Sequence, residues 1–185
     1  MQRRIVEPAD VSGDALSELK SWLGITRPNE DALLADLLHA GLAMCEAFTG
    51  QALLSQLVEE RLPTKSGKST LVSRPAVSLS ALELVAHNGD RSVIDTSQFE
   101  VEISAEGRLS ITLLQDFEGQ YVSATARVGT SGDWQGVPSA LKQGIIRLCA
   151  HYYRDRDRPG DQKKASTPPT IVSALWRPYK SLRLT

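Results

Sequence analysis

The spacing of apolar residues changes twice along the chain, and this change limits the folds that the chain can adopt. Between residues 14 and 50 they recur every three or four positions, as in amphipathic helices. From Leu53 to Val128 they largely alternate with polar residues, as in half-buried strands. After Pro138 the helical spacing returns. The sequence therefore predicts an α+β fold, in which helices from both chain ends form a small bundle and an antiparallel β-sheet region is inserted between them.

The clearest predicted element is a helix between Asn29 and Gly50. Asn29 is a natural N-cap, and Gly50 stands where a helix C-terminus favours left-handed backbone. One row of residues recurs at helical spacing, namely Leu34, Leu38, Gly41, Cys45 and Phe48. Alanines occupy many of the other positions. A helix that is apolar on one side and small on another can pack on two surfaces, so we expect a neighbour to cover one of them.

A shorter helix is predicted before it, from Asp14 to Leu23. Asp14 or Ser12 is the expected N-cap, and Gly24 is the expected end. Both helices fall in an N-terminal segment that we place at residues 1–52.

Two turn signals organise the predicted β region, residues 53–130. Asn88-Gly89 separates two apolar runs, which is a strong hairpin signal, and Glu106-Gly107 separates two alternating runs. We therefore expect a small antiparallel sheet of the meander type with one face on a core.

The C-terminal part is predicted to begin with a core helix over residues 138–154, with Pro138 in its first turn. The remainder, residues 155–185, is expected to contain a polar loop (Asp155 to Thr167), a short helix from about Pro169 to Leu175, and a tail. We treat the chain, residues 1–185, as one domain.

Charge is distributed unevenly along the chain. Ser139 to Thr185 carries ten Lys or Arg against three acids, whereas Met1 to Pro138 carries eleven against nineteen. Three interpretations are open: contact of the basic end with nucleic acid, complementarity between copies or with an acidic partner, and a solvated tail.

The sequence predicts no catalytic residues, no metal site and no cofactor. The motifs of nucleotide-binding loops and of serine hydrolases are missing. Cys45 and Cys149 lie in apolar patterns and are expected to be buried, reduced thiols. Glu59 and Glu60 are expected to be solvated. No apolar run approaches membrane-spanning length, so we predict no membrane partner.

Four pieces of sequence occur in one order along the chain. They are Leu19-Lys-Ser-Trp-Leu-Gly-Ile with Glu30-Asp-Ala-Leu-Leu and Glu46-Ala-Phe-Thr-Gly-Gln-Ala-Leu; Asn88-Gly89; Gly129 through Val137-Pro-Ser-Ala-Leu-Lys; and His151-Tyr-Tyr-Arg-Asp-Arg with Leu175-Trp-Arg-Pro-Tyr-Lys. In this arrangement the chain resembles the head–tail connector (adaptor) proteins of long-tailed phages and gene transfer agents. The alanine-rich strand Ser123-Ala-Thr-Ala-Arg-Val departs from the family, where bulkier residues are usual.

The resemblance implies a structural virion protein and not an enzyme. It implies a homo-oligomeric ring, commonly of twelve copies, that is made in the bacterial host cytoplasm and acts at the head–tail interface. The expected partners are the portal protein, a further head–tail completion (stopper) protein, and DNA that passes through the channel without sequence specificity.

The resemblance and the charge pattern together suggest two sets of contact residues. The family's use of its C-terminal segment to grip the portal implies a partner-binding set of Trp176, Arg177, Tyr179, Lys180, Arg183 and Leu184, in which Trp176 and Tyr179 would be the buried anchors. The opposite charges of the second helix and the basic C-terminal part suggest an inter-subunit set of Glu30, Asp31, Asp36, Glu46, Arg154 and Arg156.

An alternative function remains open, that of a nucleic-acid-binding accessory protein. It would use the basic C-terminal region, in particular Arg154, Arg156, Arg158, Lys163 and Lys164.

Overall fold

The computed structural model describes residues 3–156 and 169–180. Within them lie four α-helices and eight strands. The helices are α1 (Asp14–Leu23), α2 (Asp31–Thr49), α3 (Ser139–Asp155) and α4 (Thr170–Trp176). The strands are β1 (Arg3–Glu7), β2 (Gln56–Leu62), β3 (Gly67–Thr70), β4 (Ala76–Val85), β5 (Arg91–Val93), β6 (Phe99–Ile103), β7 (Leu109–Leu113) and β8 (Tyr121–Val128). The predicted α+β class, with helices at both chain ends, is confirmed.

The described residues divide into two compact units. The β unit contains residues 3–9 and 55–130, and the helical unit contains residues 10–54, 131–156 and 169–180. The helical unit is thus built from segments that are distant in the sequence.

In the helical unit, α2 packs on α3 at Gly41. A Cβ added there would lie 2.8 Å from Cys149 Sγ and 3.2 Å from Ile145 Cγ2, so the missing side chain permits the close contact. The Cys149 thiol donates to the Leu37 carbonyl at 3.1 Å. Cys45 and Cys149 are buried and free, as predicted.

The helix ends of this unit are only partly as predicted. Gly24 and Gly50 end α1 and α2 with φ of 74° and 75°, the left-handed conformation that glycine adopts without strain. The predicted N-caps are wrong, because Gly13 and Glu30 occupy the two N-cap positions without a side-chain cap hydrogen bond. A short 3₁₀ helix, Pro28–Glu30, leads into α2 instead.

At the other end of the helical unit, α4 packs on α3 through Trp176. The indole Nε1 donates to the Leu141 carbonyl at 3.4 Å, and its ring lies 5.9 Å from that of Phe48. A Cβ added at Gly144 would lie 2.1 Å from the indole Nε1. Glycine at this position therefore makes room for the Trp176 ring.

The β unit contains two sheets and not the single meander that we predicted. One sheet has five strands in the order β1-β2-β8-β4-β5, and the other has three in the order β3-β7-β6. The Asn88-Gly89 hairpin joins β4 to β5, and the Glu106-Gly107 turn joins β6 to β7, as predicted. The meander prediction failed because β8 pairs with β2 and β4, which precede it by many residues.

Strand β8 is the central strand of the five-stranded sheet. The side chains of one face are fully buried, namely Val122, Ala124, Ala126 and Val128. This buried face explains the alternation in the sequence. Strand β1 was not predicted, because all five of its residues are exposed and none of them marks a buried face at the edge of the sheet.

The prediction that Glu59 and Glu60 are solvated is wrong. Glu60 lies on the same face of β2 as Val58 and is fully buried. Its carboxylate accepts from the backbone N–H groups of Val72 and Ser73, both at 2.8 Å. These two hydrogen bonds compensate for the loss of water around the charge, and they hold the loop that contains Val72 and Ser73 in place.

The contact between α3 and α4 gives a stability prediction. In an exposed helix, Gly→Ala raises stability by roughly 0.5–1 kcal/mol. We expect Gly144→Ala to lower it instead, by about 1–3 kcal/mol, because the new methyl overlaps the Trp176 ring. Urea unfolding monitored by circular dichroism measures the difference.

The matched control is Gly132→Ala, since a Cβ there meets no atom within 4 Å. This control should leave the unfolding midpoint close to that of the unmodified protein. An unchanged or raised midpoint for Gly144→Ala would contradict the tight contact.

Candidate functional site

Helix α2 presents a second row of apolar residues beside its buried row. We call this row the α2 stripe; its members recur at helical spacing and are Leu33, Leu37, Ala40, Met44 and Ala47. Leu33 and Met44 are 39% and 37% exposed, and Ala40 and Ala47 are also exposed. A contiguous apolar row on a surface is typical of a site that another protein covers.

The apolar character of α2 is high enough to correct one sequence prediction. The segment Pro28–Thr49 is 22 residues long, and by length and composition alone it is apolar enough to cross a membrane. In the fold its buried row packs on α3, which is the environment of a bundle helix. The absence of a membrane partner stays a prediction.

The predicted inter-subunit residues Glu30 and Arg156 pair within the chain instead. Glu30 accepts from Arg156 Nη2 at 2.7 Å and from the Tyr153 hydroxyl at 2.5 Å. The hydrogen bond from Tyr153, and to a smaller extent the one from Arg156, holds the pKa of Glu30 below its ordinary value. Their opposite charges are therefore paired within one subunit, and a role of Glu30 and Arg156 at the ring interface stays a prediction.

Asp31 is likewise engaged within the chain. It accepts a hydrogen bond from Lys20 Nζ at 2.5 Å, and this ion pair links α1 to α2. Of the other predicted inter-subunit residues, Asp36 and Arg154 are exposed and Glu46 is half-buried. These three remain candidates for contacts at the rim of an interface.

The fold buries one residue of the predicted partner-binding set and leaves others exposed. Trp176 is only 3% exposed and lies in the core of the helical unit, so it does not serve as a surface anchor. Arg177 and Lys180 are exposed, and Tyr179 is half-buried. Lys180 Nζ lies 5.5 Å above the Phe48 ring. Arg183 and Leu184 lie outside the described residues.

The alternative nucleic-acid set is described only in part. Arg154 is exposed, and Arg156 is engaged with Glu30. Arg158, Lys163 and Lys164 lie outside the described residues, so that interpretation stays a prediction.

The described part of the chain offers little reactive chemistry. Burial raises the pKa of both the Cys45 and the Cys149 thiol to about 12, so neither is a ready nucleophile. Residues 3–156 and 169–180 contain no group of three or more His, Cys, Asp or Glu that could hold a metal ion.

Sequence analysis missed a basic pocket in the β unit. Its volume is about 210 Å³, and strands distant in sequence supply its lining, which is Arg3, Arg4, Glu59, Arg61, Arg91 and Tyr121. No local motif could have indicated it, because the pocket exists only once β1, β2, β5 and β8 are assembled into one sheet.

Comparison with known proteins gives a family and a fold. The family model described as head completion protein matches residues 15–164. Among curated proteins, none matches the chain at a significant level.

Solved structures of gene transfer agent (GTA) particles contain chains with the same fold. Each of three such chains covers 100% of this chain, and this chain covers 98% of it. The chain from the neck of an empty particle, computed with C6 symmetry, is 23% identical with a TM-score of 0.75. The chain from the neck of a native particle, computed with C12 symmetry, is 24% identical with a TM-score of 0.74. The chain from the virion of a native particle is 24% identical with a TM-score of 0.71.

Proposed function

Because this chain belongs to the head completion protein family, we propose that it is a structural subunit of a tailed-phage or gene transfer agent particle. In this proposal it forms a ring at the head–tail interface, joins the portal to a stopper protein on the tail side, and extends the DNA channel. The observation that carries the proposal is the family match, which spans residues 15–164 and therefore parts of both units.

The fold supports assembly into a ring. The similar chains belong to necks that were computed with C12 and C6 symmetry, which agrees with a ring of twelve copies. A ring requires a heterologous interface, in which each subunit brings together two different surfaces.

The α2 stripe is one of these two surfaces in the proposal. Its side chains are apolar or small, so a neighbouring copy can approach closely and exclude water. Asp36 and Arg154 are exposed in the same unit and Glu46 is half-buried, so they supply charges at the rim. Rim charges set orientation and association rate more than affinity.

The C-terminal segment after α4 is the proposed portal contact. Trp176 is held in the core, so the chain leaves the helical unit from a fixed point. The exposed or half-buried residues that follow, Arg177, Tyr179 and Lys180, are then available to a partner. Arg183 and Leu184, which lie outside the described residues, stay in the proposed set. This assignment keeps the predicted segment but begins it one residue later.

The proposed role requires no catalytic step and no cofactor. The protein is made in the host cytoplasm and acts in the particle, where DNA passes through the ring without sequence-specific contacts. The function is mechanical, since it depends on how tightly copies and neighbours bind.

The proposed ring interface is tested by Met44→Glu. The substitution places a charge in the α2 stripe, so each subunit contact loses about 0.5–1 kcal/mol of apolar burial, because only part of the side chain is exposed, and must also bury an unpaired carboxylate. Because a ring repeats this loss at every contact, we expect rings on purified portal to disappear in negative-stain micrographs. The subunit should remain folded, because the side chain is 37% exposed in the single chain.

The matched control is Val93→Glu, the same kind of change at a residue that is 79% exposed in the β unit. This variant should form rings at the normal yield. Normal rings with Met44→Glu, or an equal defect in both variants, would remove the α2 stripe from the interface.

The portal contact is tested by a chain that ends at Trp176. Because Trp176 remains, we expect the truncated protein to keep its unfolding midpoint and to lose co-sedimentation with portal rings. The full-length double variant Arg177→Gln/Lys180→Gln measures how much of the loss is due to charge. Portal binding at the normal level by the truncated chain would contradict the assignment.

A further inference from the structure

The basic pocket of the β unit has the construction of a carboxylate-binding site. Four of its six lining residues are arginines, and Glu59 is its only acid. Arginine presents a planar set of N–H donors that matches the two oxygens of a carboxylate.

Glu59 holds two of the arginines in place. Its side chain is 8% exposed, and its two oxygens accept from Arg4 Nη2 at 2.7 Å and from Arg91 Nη2 at 3.0 Å. Arg91 Nη1 also donates to Glu83 at 3.0 Å. Both oxygens of Glu59 are therefore occupied, and the guanidinium groups retain further N–H donors.

Arg61 supplies positive charge that is not neutralised. Arg61 is exposed, and its guanidinium lies 4.2 Å from the centre of the Tyr121 ring in a cation–π contact that favours this position. Across residues 3–156 and 169–180, no carboxylate pairs with Arg61. The pocket thus combines an arginine whose charge is not neutralised with two others that Glu59 orients, and this orientation lowers the entropy lost on binding an anion.

We propose that this pocket binds the carboxylate of an aspartate or glutamate side chain from another protein chain. The volume, about 210 Å³, suits one acidic side chain. The charge of the unit favours protein as well, because residues 3–9 and 55–130 contain nine Lys or Arg against eleven acids. Nucleic-acid binding requires an extended basic surface, and one pocket in an acidic unit does not provide it.

The inference rests on the proposed function in one respect, because a particle subunit has protein neighbours that can supply the acid. The pocket and the α2 stripe lie in different units, and the test of the pocket uses the isolated chain. Failure of the pocket would therefore leave the result for ring assembly unaffected.

The test is calorimetric titration of the full chain with an acetylated oligoglutamate peptide at low ionic strength. We expect the peptide to bind the unmodified protein, and Arg61→Gln to weaken binding about tenfold, the effect of losing one charge-assisted hydrogen bond. Amide NMR shifts on titration should change in β1, β2 and β8. An oligoglutamine peptide should not bind.

The matched control is Arg108→Gln, which removes the same charge from an exposed position outside the pocket. It should bind the peptide as the unmodified protein does. The proposal is overturned if Arg61→Gln binds normally, if Arg108→Gln is equally weakened, if the shifts lie elsewhere, or if short duplex DNA binds more tightly than the peptide.

Discussion

The contact between α2 and α3 at Gly41 is the interaction on which the helical unit depends. It joins a helix near the start of the chain to one near its end, and it is close because Gly41 has no side chain between the two backbones. Protein interiors are packed densely enough that even one added methyl group at such a point is felt. The position of α2, and hence the direction in which its exposed row points, follows from this contact.

The same contact divides the residues of α2 between two roles. The row that includes Leu34 and Leu38 is buried and stabilises the fold, whereas Leu33 and Met44 of the α2 stripe beside it are partly exposed. Trp176 is likewise buried and stabilises the helical unit, whereas Arg177 and Lys180 after it are exposed. Burial thus separates the apolar and aromatic residues that stabilise the unit from those that we propose to contact a partner.

Local patterns predicted much of this fold, because they depend on residues that are near in sequence. The period of Leu34 and Leu38, the stop at Gly50 and the turn at Asn88-Gly89 were each correct. Long-range features were missed. Strand β1 has no buried side chain that would mark it, and the central place of β8 depends on partners many residues away.

The partners of charged residues also depend on contacts between distant parts of the chain. Opposite charges in Glu30 and Arg156 suggested an interface, and in the fold these two residues pair within one chain, where pairing costs no association entropy. Glu60 was wrongly predicted to be solvated, because the backbone N–H groups that satisfy its buried carboxylate come from a distant loop and leave no mark in the local sequence. Sequence patterns identify charged groups well, but only the fold shows which partner each one has.

The central claim is that the α2 stripe is covered by an adjacent copy in the assembled particle. A density map of the particle neck that resolves the side chains of this protein tests it most directly. The account predicts that Leu33, Ala40 and Met44 lie in van der Waals contact with the next subunit of the ring. A map in which these side chains face solvent or the DNA channel, with subunits joined through other surfaces, would contradict it.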